Sequence, residues 1–135
     1  MNLRFAALPG LGVIALVSVS LLNTTTVRAK DDASKPECYS TKVKPIFDAH
    51  CARCHGGTNH RGGLNIDTRA GLLKGGHDGP VIVPGDPADS LLIKLIRHEG
   101  PADDPMPMPP NKPKISDDDI STINEWIKAG AVMPQ

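Results

Sequence analysis

Five consecutive residues, Cys51-Ala52-Arg53-Cys54-His55, carry the densest chemistry in this 135-residue chain. Two thiols three positions apart on a helical turn lie on one side, and the imidazole beside the second can turn toward whatever the thiols hold. Cys-x-x-Cys-His is the pattern of covalent haem attachment, in which two thioethers reach the vinyl groups of one haem edge and the imidazole takes the iron. On that reading Cys51 and Cys54 bind the haem and His55 is the proximal iron ligand. A thioredoxin-like dithiol would need a strand feeding a helix, and no β-branched run precedes Cys51. A zinc site would need two further soft ligands, and the remaining cysteine, Cys38, stands thirteen residues upstream without a partner nearby in sequence.

A haem iron with one histidine needs a second axial donor, and a thioether sulfur there raises the reduction potential and favours electron transfer. The stretch Pro105-Met106-Pro107-Met108-Pro109-Pro110 offers two such sulfurs. A polyproline-like path has about three residues per turn, so side chains two apart point in different directions and one of them can face the iron. Met108, anchored by Pro109-Pro110 on its C-terminal side, is the favoured ligand; Met106 is the alternative, and packing against the haem edge is the non-ligand role. The histidines outside the motif compete less well. His98 reads as a cation at a helix C-terminus, His50 adjoins the attachment site too closely, and His60 and His77 sit in glycine-flanked loops as surface residues.

Stepping outward, residues 1–29 read as a secretory signal: a short positive start at Asn2–Arg4, an apolar run from Phe5 to Leu22, and small residues around a cleavage point after Ala29. Pro9, Gly10 and Gly12 interrupt the run and no basic stop-transfer cluster follows, which argues against a retained membrane span. Export suits covalent haem attachment, which takes place outside the cytoplasmic membrane. Cleavage removes Arg4 and Arg28 and no acidic residue, leaving 13 basic against 15 acidic side chains, a formal charge of −2. That balance argues against a nucleic-acid partner. The aromatic content is only 3%, so a domain this small buries a meagre core unless a bulky apolar group supplements it. Thirteen prolines and thirteen glycines point to a loop-rich chain.

The positioning elements follow. Residues 30–40 read as a flexible lead-in and 41–135 as a single domain. Pro45 suits the first turn of a helix that carries Ile46 and Phe47 up to the cysteine motif, and Gly56-Gly57 stops it. Asp67 is the expected N-cap of a two-turn helix ending at Gly75-Gly76. A third helix is expected from Asp86 as N-cap, with Pro87 and Asp89 in a capping box, an apolar face of Leu91, Leu92, Leu95 and Ile96, and a stop at Gly100-Pro101. The last begins at Ser116, carries Asp117–Asp119 in its first turn, buries Ile120, Ile123, Trp126 and Ile127, and ends at Gly130. Pro80–Val83 is the one short strand candidate. Cys38, the odd cysteine, reads as a buried thiol, with pairing to another chain as the second choice.

Taken in order, Val43–Phe47, Cys51–Gly56, Gly62–Arg69, Gly75-Gly76, Gly79–Gly85, Ser90–Leu92, Met108–Pro110 and Trp126–Ala131 make the chain similar to the planctomycete-type cytochrome c domain, within the small His/Met c-type cytochromes. The resemblance spans residues 43–134. It implies an all-α cytochrome c fold, read with the segments above as about four short helices wrapped around one covalent haem c. It also implies that the first and last helices cross near the haem edge, with His55 and Met108 as axial ligands. The expected function is that of a monohaem electron carrier passing single electrons between redox partner proteins in the periplasm, with no substrate bond made or broken. One competing function is a peroxidase-like haem enzyme with a displaceable sixth ligand and His60 or His77 as its acid/base group. Another is a haem-bearing subunit or sensor module of a larger periplasmic assembly.

Overall fold

The computed structural model describes residues 32–100, 102 and 106–135. The expected signal segment, residues 1–29, its cleavage point, and Pro101 and Pro105 of the proline-rich loop lie outside the described residues. Every named element is helical, and among the described residues there is no strand, only an isolated antiparallel bridge between Gly76 and Gly79. The described part of the chain is therefore all-α. Pro80–Val83, the strand candidate, runs without regular structure, yet Val81 and Ile82 are buried and the Val81 carbonyl accepts a hydrogen bond from the Leu92 N–H at 2.8 Å.

The first helical arm is built from three joined pieces, α1 (Pro36–Cys38), a π-helical turn (Tyr39–Val43) and α2 (Lys44–His50), followed after Cys51 by α3 (Ala52–His55). Pro45 occupies the first turn of α2, as expected, although α2 continues an arm that begins earlier. A proline there has no N–H to give and crowds the preceding turn, and the wider π turn, closed by the Lys44 N–H on the Tyr39 carbonyl, carries the chain past it. The stretch expected as a loose lead-in is helical from Pro36 onward and buries Ala33, Cys38 and Tyr39. Its polar composition hid three inward-facing side chains.

The helix α4 (Arg69–Lys74) is capped by Thr68, whose hydroxyl accepts from the Gly71 N–H at 3.0 Å, and not by Asp67 as the sequence suggested. Asp67 is engaged elsewhere, accepting from the Gly57 N–H at 2.6 Å. The helix expected from Asp86 also differs. The Asp86 carboxylate does accept the Ala88 and Asp89 N–H groups, at 3.0 and 3.1 Å, but it caps only a turn. Ser90, fully buried, interrupts: its hydroxyl accepts from the Val83 N–H at 2.9 Å and donates to the Asp86 carbonyl at 2.8 Å. A buried hydroxyl must be paired, and satisfying it on a neighbouring loop restarts the helix as α5 (Leu91–Ile96). In that register Ile93, Leu95 and Ile96 are buried while Leu91 and Leu92 stay half-buried, so the inward face is shifted from the expected one.

The terminal helix, α6 (Asp117–Lys128), follows its sequence signals closely. Ser116 accepts from the Asp119 N–H at 3.1 Å, three aspartates occupy the positive first turn, and Ile120, Ile123, Trp126 and Ile127 are buried. It packs on the first arm and on α5. The contact centres on Trp126, which meets Tyr39 at 5.6 Å between ring centroids and Phe47 edge-on at 6.0 Å; Tyr39 and Phe47 meet at 6.2 Å. Inside this cluster the Trp126 indole N–H donates to the Val132 carbonyl at 2.8 Å. Arg69 fastens α4 to the end of α6, donating to the Ala131 and Gly130 carbonyls at 3.0 and 3.3 Å.

Two expectations follow. Burial, with the negative charges of Asp48 and Asp67 adding to it, pushes the Tyr39 phenol up to about 12. The folded protein then holds that proton more tightly than the unfolded chain, so this stabilisation is complete below about pH 10 and is lost as pH rises toward about 12. Thermal melts across that range should show an alkaline loss of stability that Tyr39→Phe reduces; an identical limb in the variant would refute the assignment. At the end of α5, His98 adopts a left-handed conformation (φ 60°), its N–H donating to the Leu95 carbonyl and that of Glu99 to Lys94, a Schellman closure usually built on glycine. Replacing His98 with glycine should raise stability by about 0.5–1 kcal/mol, read as a higher denaturation midpoint at unchanged slope.

Candidate functional site

The cysteine motif occupies the corner where the first helical arm ends. The Cys51 N–H closes α2 on the Phe47 carbonyl at 2.8 Å, and its own backbone leaves helical geometry (φ −122°, ψ −40°). The Cys51 carbonyl then accepts both the Cys54 and His55 N–H groups at 3.0 Å, which gathers the three chemically active residues on the single turn of α3. Cys51, Cys54 and His55 are all half-buried, and neither cysteine forms a disulfide. Burial, reinforced by the neighbouring Cys54, pushes the Cys51 thiol up to about 11. Both Cys51 and Ala52 pack against the apolar core.

His55 is oriented from its Nδ1 side. That nitrogen lies 3.0 Å from the Arg61 carbonyl oxygen, which can only accept, so the ring carries its proton on Nδ1 and presents a lone pair on Nε2. Burial lowers the His55 pKa, outweighing the pull of the carbonyl toward the charged form, and the positive Arg61 side chain lowers it further. A neutral imidazole with Nδ1–H engaged by a backbone carbonyl is the form that ligates a metal through Nε2.

Several groups that sequence reading passed over brace this turn. The loop 56–67 folds back on it: the Ile66 N–H donates to the His55 carbonyl at 3.0 Å, the Asp67 carboxylate takes the Gly57 N–H, and the Asn59 side-chain amide donates to the Arg53 carbonyl at 3.2 Å. Asn65 in turn accepts the Asp67 N–H at 2.8 Å. Side-chain bonds from Asn and Asp to nearby backbone are common loop devices, so Asn59, Asn65 and Asp67 were legible as turn residues. Which N–H each would meet depends on the tertiary path. The Arg61 carbonyl carries no sequence signal at all.

The two methionines part company. Met108 is half-buried, packs against the core, and donates its backbone N–H to the Leu95 carbonyl at 3.1 Å, which ties its loop to the end of α5. Met106 is half-buried in a positive-φ conformation, and the Met108–Pro109 peptide is cis, so the stretch departs from the expected uniform polyproline path. His50, His60, His77 and His98 are all exposed.

The donor set suits a haem c: two half-buried cysteines on one turn and outside any disulfide, an imidazole whose free nitrogen is fixed by its tautomer, and a core-packed thioether on a separate loop. Among the described residues no helix is long and apolar enough to cross a membrane. No curated protein and no solved structure matches the chain. The family model described as Planctomycete cytochrome C matches residues 51–112, from the first haem-motif cysteine past the methionine loop, so that stretch is similar to the planctomycete-type cytochromes c.

Proposed function

We propose that the protein is an exported monohaem c-type cytochrome that passes single electrons between redox partner proteins in the periplasm. The observation that carries this reading is the His55 imidazole with its Nδ1 3.0 Å from the Arg61 carbonyl oxygen, one residue from Cys54 and on the same turn as Cys51. When bound, the haem supplies an iron that alternates between ferric and ferrous states. The chain supplies everything else. Cys51 and Cys54 hold the group as thioethers, which fixes it without dependence on affinity. His55 offers Nε2 as one axial donor, and the hydrogen bond at its far side keeps the ring from rotating. Met108 offers its sulfur as the other, from a backbone anchored at Leu95, so little rearrangement is needed between oxidation states.

Residues 1–29 act in this proposal as a signal cleaved after Ala29, and the domain proper covers 41–135. Met108 rather than Met106 is the sixth ligand because only Met108 combines core packing with an anchored backbone N–H. A ligated, anchored sulfur also argues against the peroxidase-like alternative, which requires the sixth position to open.

Purified holoprotein should keep its colour through denaturation and solvent extraction, with a mass equal to polypeptide plus one haem; the Cys51→Ser/Cys54→Ser pair should lose both. A colourless denatured chain at bare polypeptide mass would refute the proposal. Ferric spectra should show the methionine-to-iron charge-transfer band in the wild type and in Met106→Ala but not in Met108→Ala, which should also bind carbon monoxide readily when reduced. The reverse pattern would assign the ligand to Met106.

A further inference from the structure

The carbonyl that orients His55 belongs to a loop with little side-chain matter to hold it. Arg61–Gly63 is a single 3-10 turn with two consecutive glycines, the first at φ 65° and the second at φ 76°. Within the turn the Gly63 N–H donates to the His60 carbonyl at 2.8 Å and the Leu64 N–H to Arg61 at 3.3 Å. Bonds this local leave the turn free to pivot as a unit. What stops it comes from the segment after α4. The His77 N–H donates to the Gly62 carbonyl at 2.8 Å, and the His77 ring edge covers Gly63 so closely that a Cβ there would stand 2.9 Å from its Cδ2 and 3.1 Å from its Nε2. Beside it Gly76 lies against the Gly62 carbonyl, with no room for a side chain, and the Gly76–Gly79 turn closes on itself through reciprocal backbone bonds at 3.1 and 3.2 Å.

We infer that His77 is a positioning residue for the axial histidine: by clasping Gly62 and Gly63 it fixes the Arg61 carbonyl, and through that carbonyl the hydrogen bond at His55 Nδ1. This rests on His55 being the iron ligand, as proposed above. His77 is exposed and touches neither thiol nor imidazole in any bond described, so its effect is indirect. A firm Nδ1–H···O bond makes the imidazole a more basic donor, which favours ferric iron. Loosening the clasp weakens that bond and moves the reduction potential upward.

The test uses holoprotein carrying His77→Ala, which keeps the backbone N–H and removes the covering ring, and His77→Phe, which restores a ring of similar breadth. Nitrogen-resolved NMR of the ferrous protein reads exchange of the His55 Nδ1 proton with solvent, and voltammetry reads the potential. His77→Ala should exchange that proton about tenfold faster and shift the potential positive, and His77→Phe should return both toward wild type. A lowered melting temperature with exchange and potential unchanged would reduce His77 to a structural residue and overturn the inference. A wild type without thioether-bound haem, seen in the denatured mass, would overturn the axial reading and this inference with it, whereas an altered melting point alone leaves the axial reading standing.

Discussion

Trp126, fully buried between the rings of Tyr39 and Phe47, is the contact on which the remaining structure depends. It joins the first helical arm to the last helix, and it does so in a chain with one tryptophan and one tyrosine. Edge-to-face aromatic pairs contribute about 0.5–1.5 kcal/mol each beyond the area they bury, so this cluster concentrates much of a small core in one place. What lies between the two ends cannot stand alone. The helices α4 and α5 have six residues each, well under the length at which an isolated helix persists in water. They are held by bonds back to the terminal helix and the turn after it: Arg69 to Gly130 and Ala131, and the Gly85 N–H to the Ile127 carbonyl at 2.8 Å.

The cysteine turn inherits its position from this arrangement. Phe47 both enters the aromatic cluster and closes α2 by accepting the Cys51 N–H, so the start of α3 is one hydrogen bond from the centre of the core. The far side is set by backbone contacts among glycines, where small size matters more than flexibility. A site assembled this way needs few dedicated side chains, which agrees with how little of the chain is aromatic or large.

The candidate site residues and the last helix are legible because their signals are local. Spacing along five residues singles out Cys51, Cys54 and His55, which the structure gathers on one turn, and Ser116 with three following aspartates marks α6, whose buried stripe matches its helical period. Proline stiffness favours Met108 over Met106 in the sequence; the hydrogen bond that ties the Met108 backbone to Leu95 is one that no pattern encodes. The misplaced helix starts share one cause. At Asp67 and at Asp86 the residue type suits a cap, but the carboxylates serve a neighbouring loop and a lone turn, while Thr68 and Ser90 border the actual helices. Two nearby candidates for one role are separable only by where the chain goes next. The early helical turns were missed because Ala33, Cys38 and Tyr39 are too sparse among polar neighbours to display a period.

A single acceptor, the Leu95 carbonyl, receives both the His98 N–H that finishes α5 and the Met108 N–H of the sulfur-bearing loop. Helix ends ordinarily fray, and that freedom costs a protein little. Here unwinding the last turn of α5 would also cast loose the backbone of Met108, so fraying and loop release are one event rather than two. The time the loop stays docked is thereby bounded by how long a six-residue helix keeps its final turn.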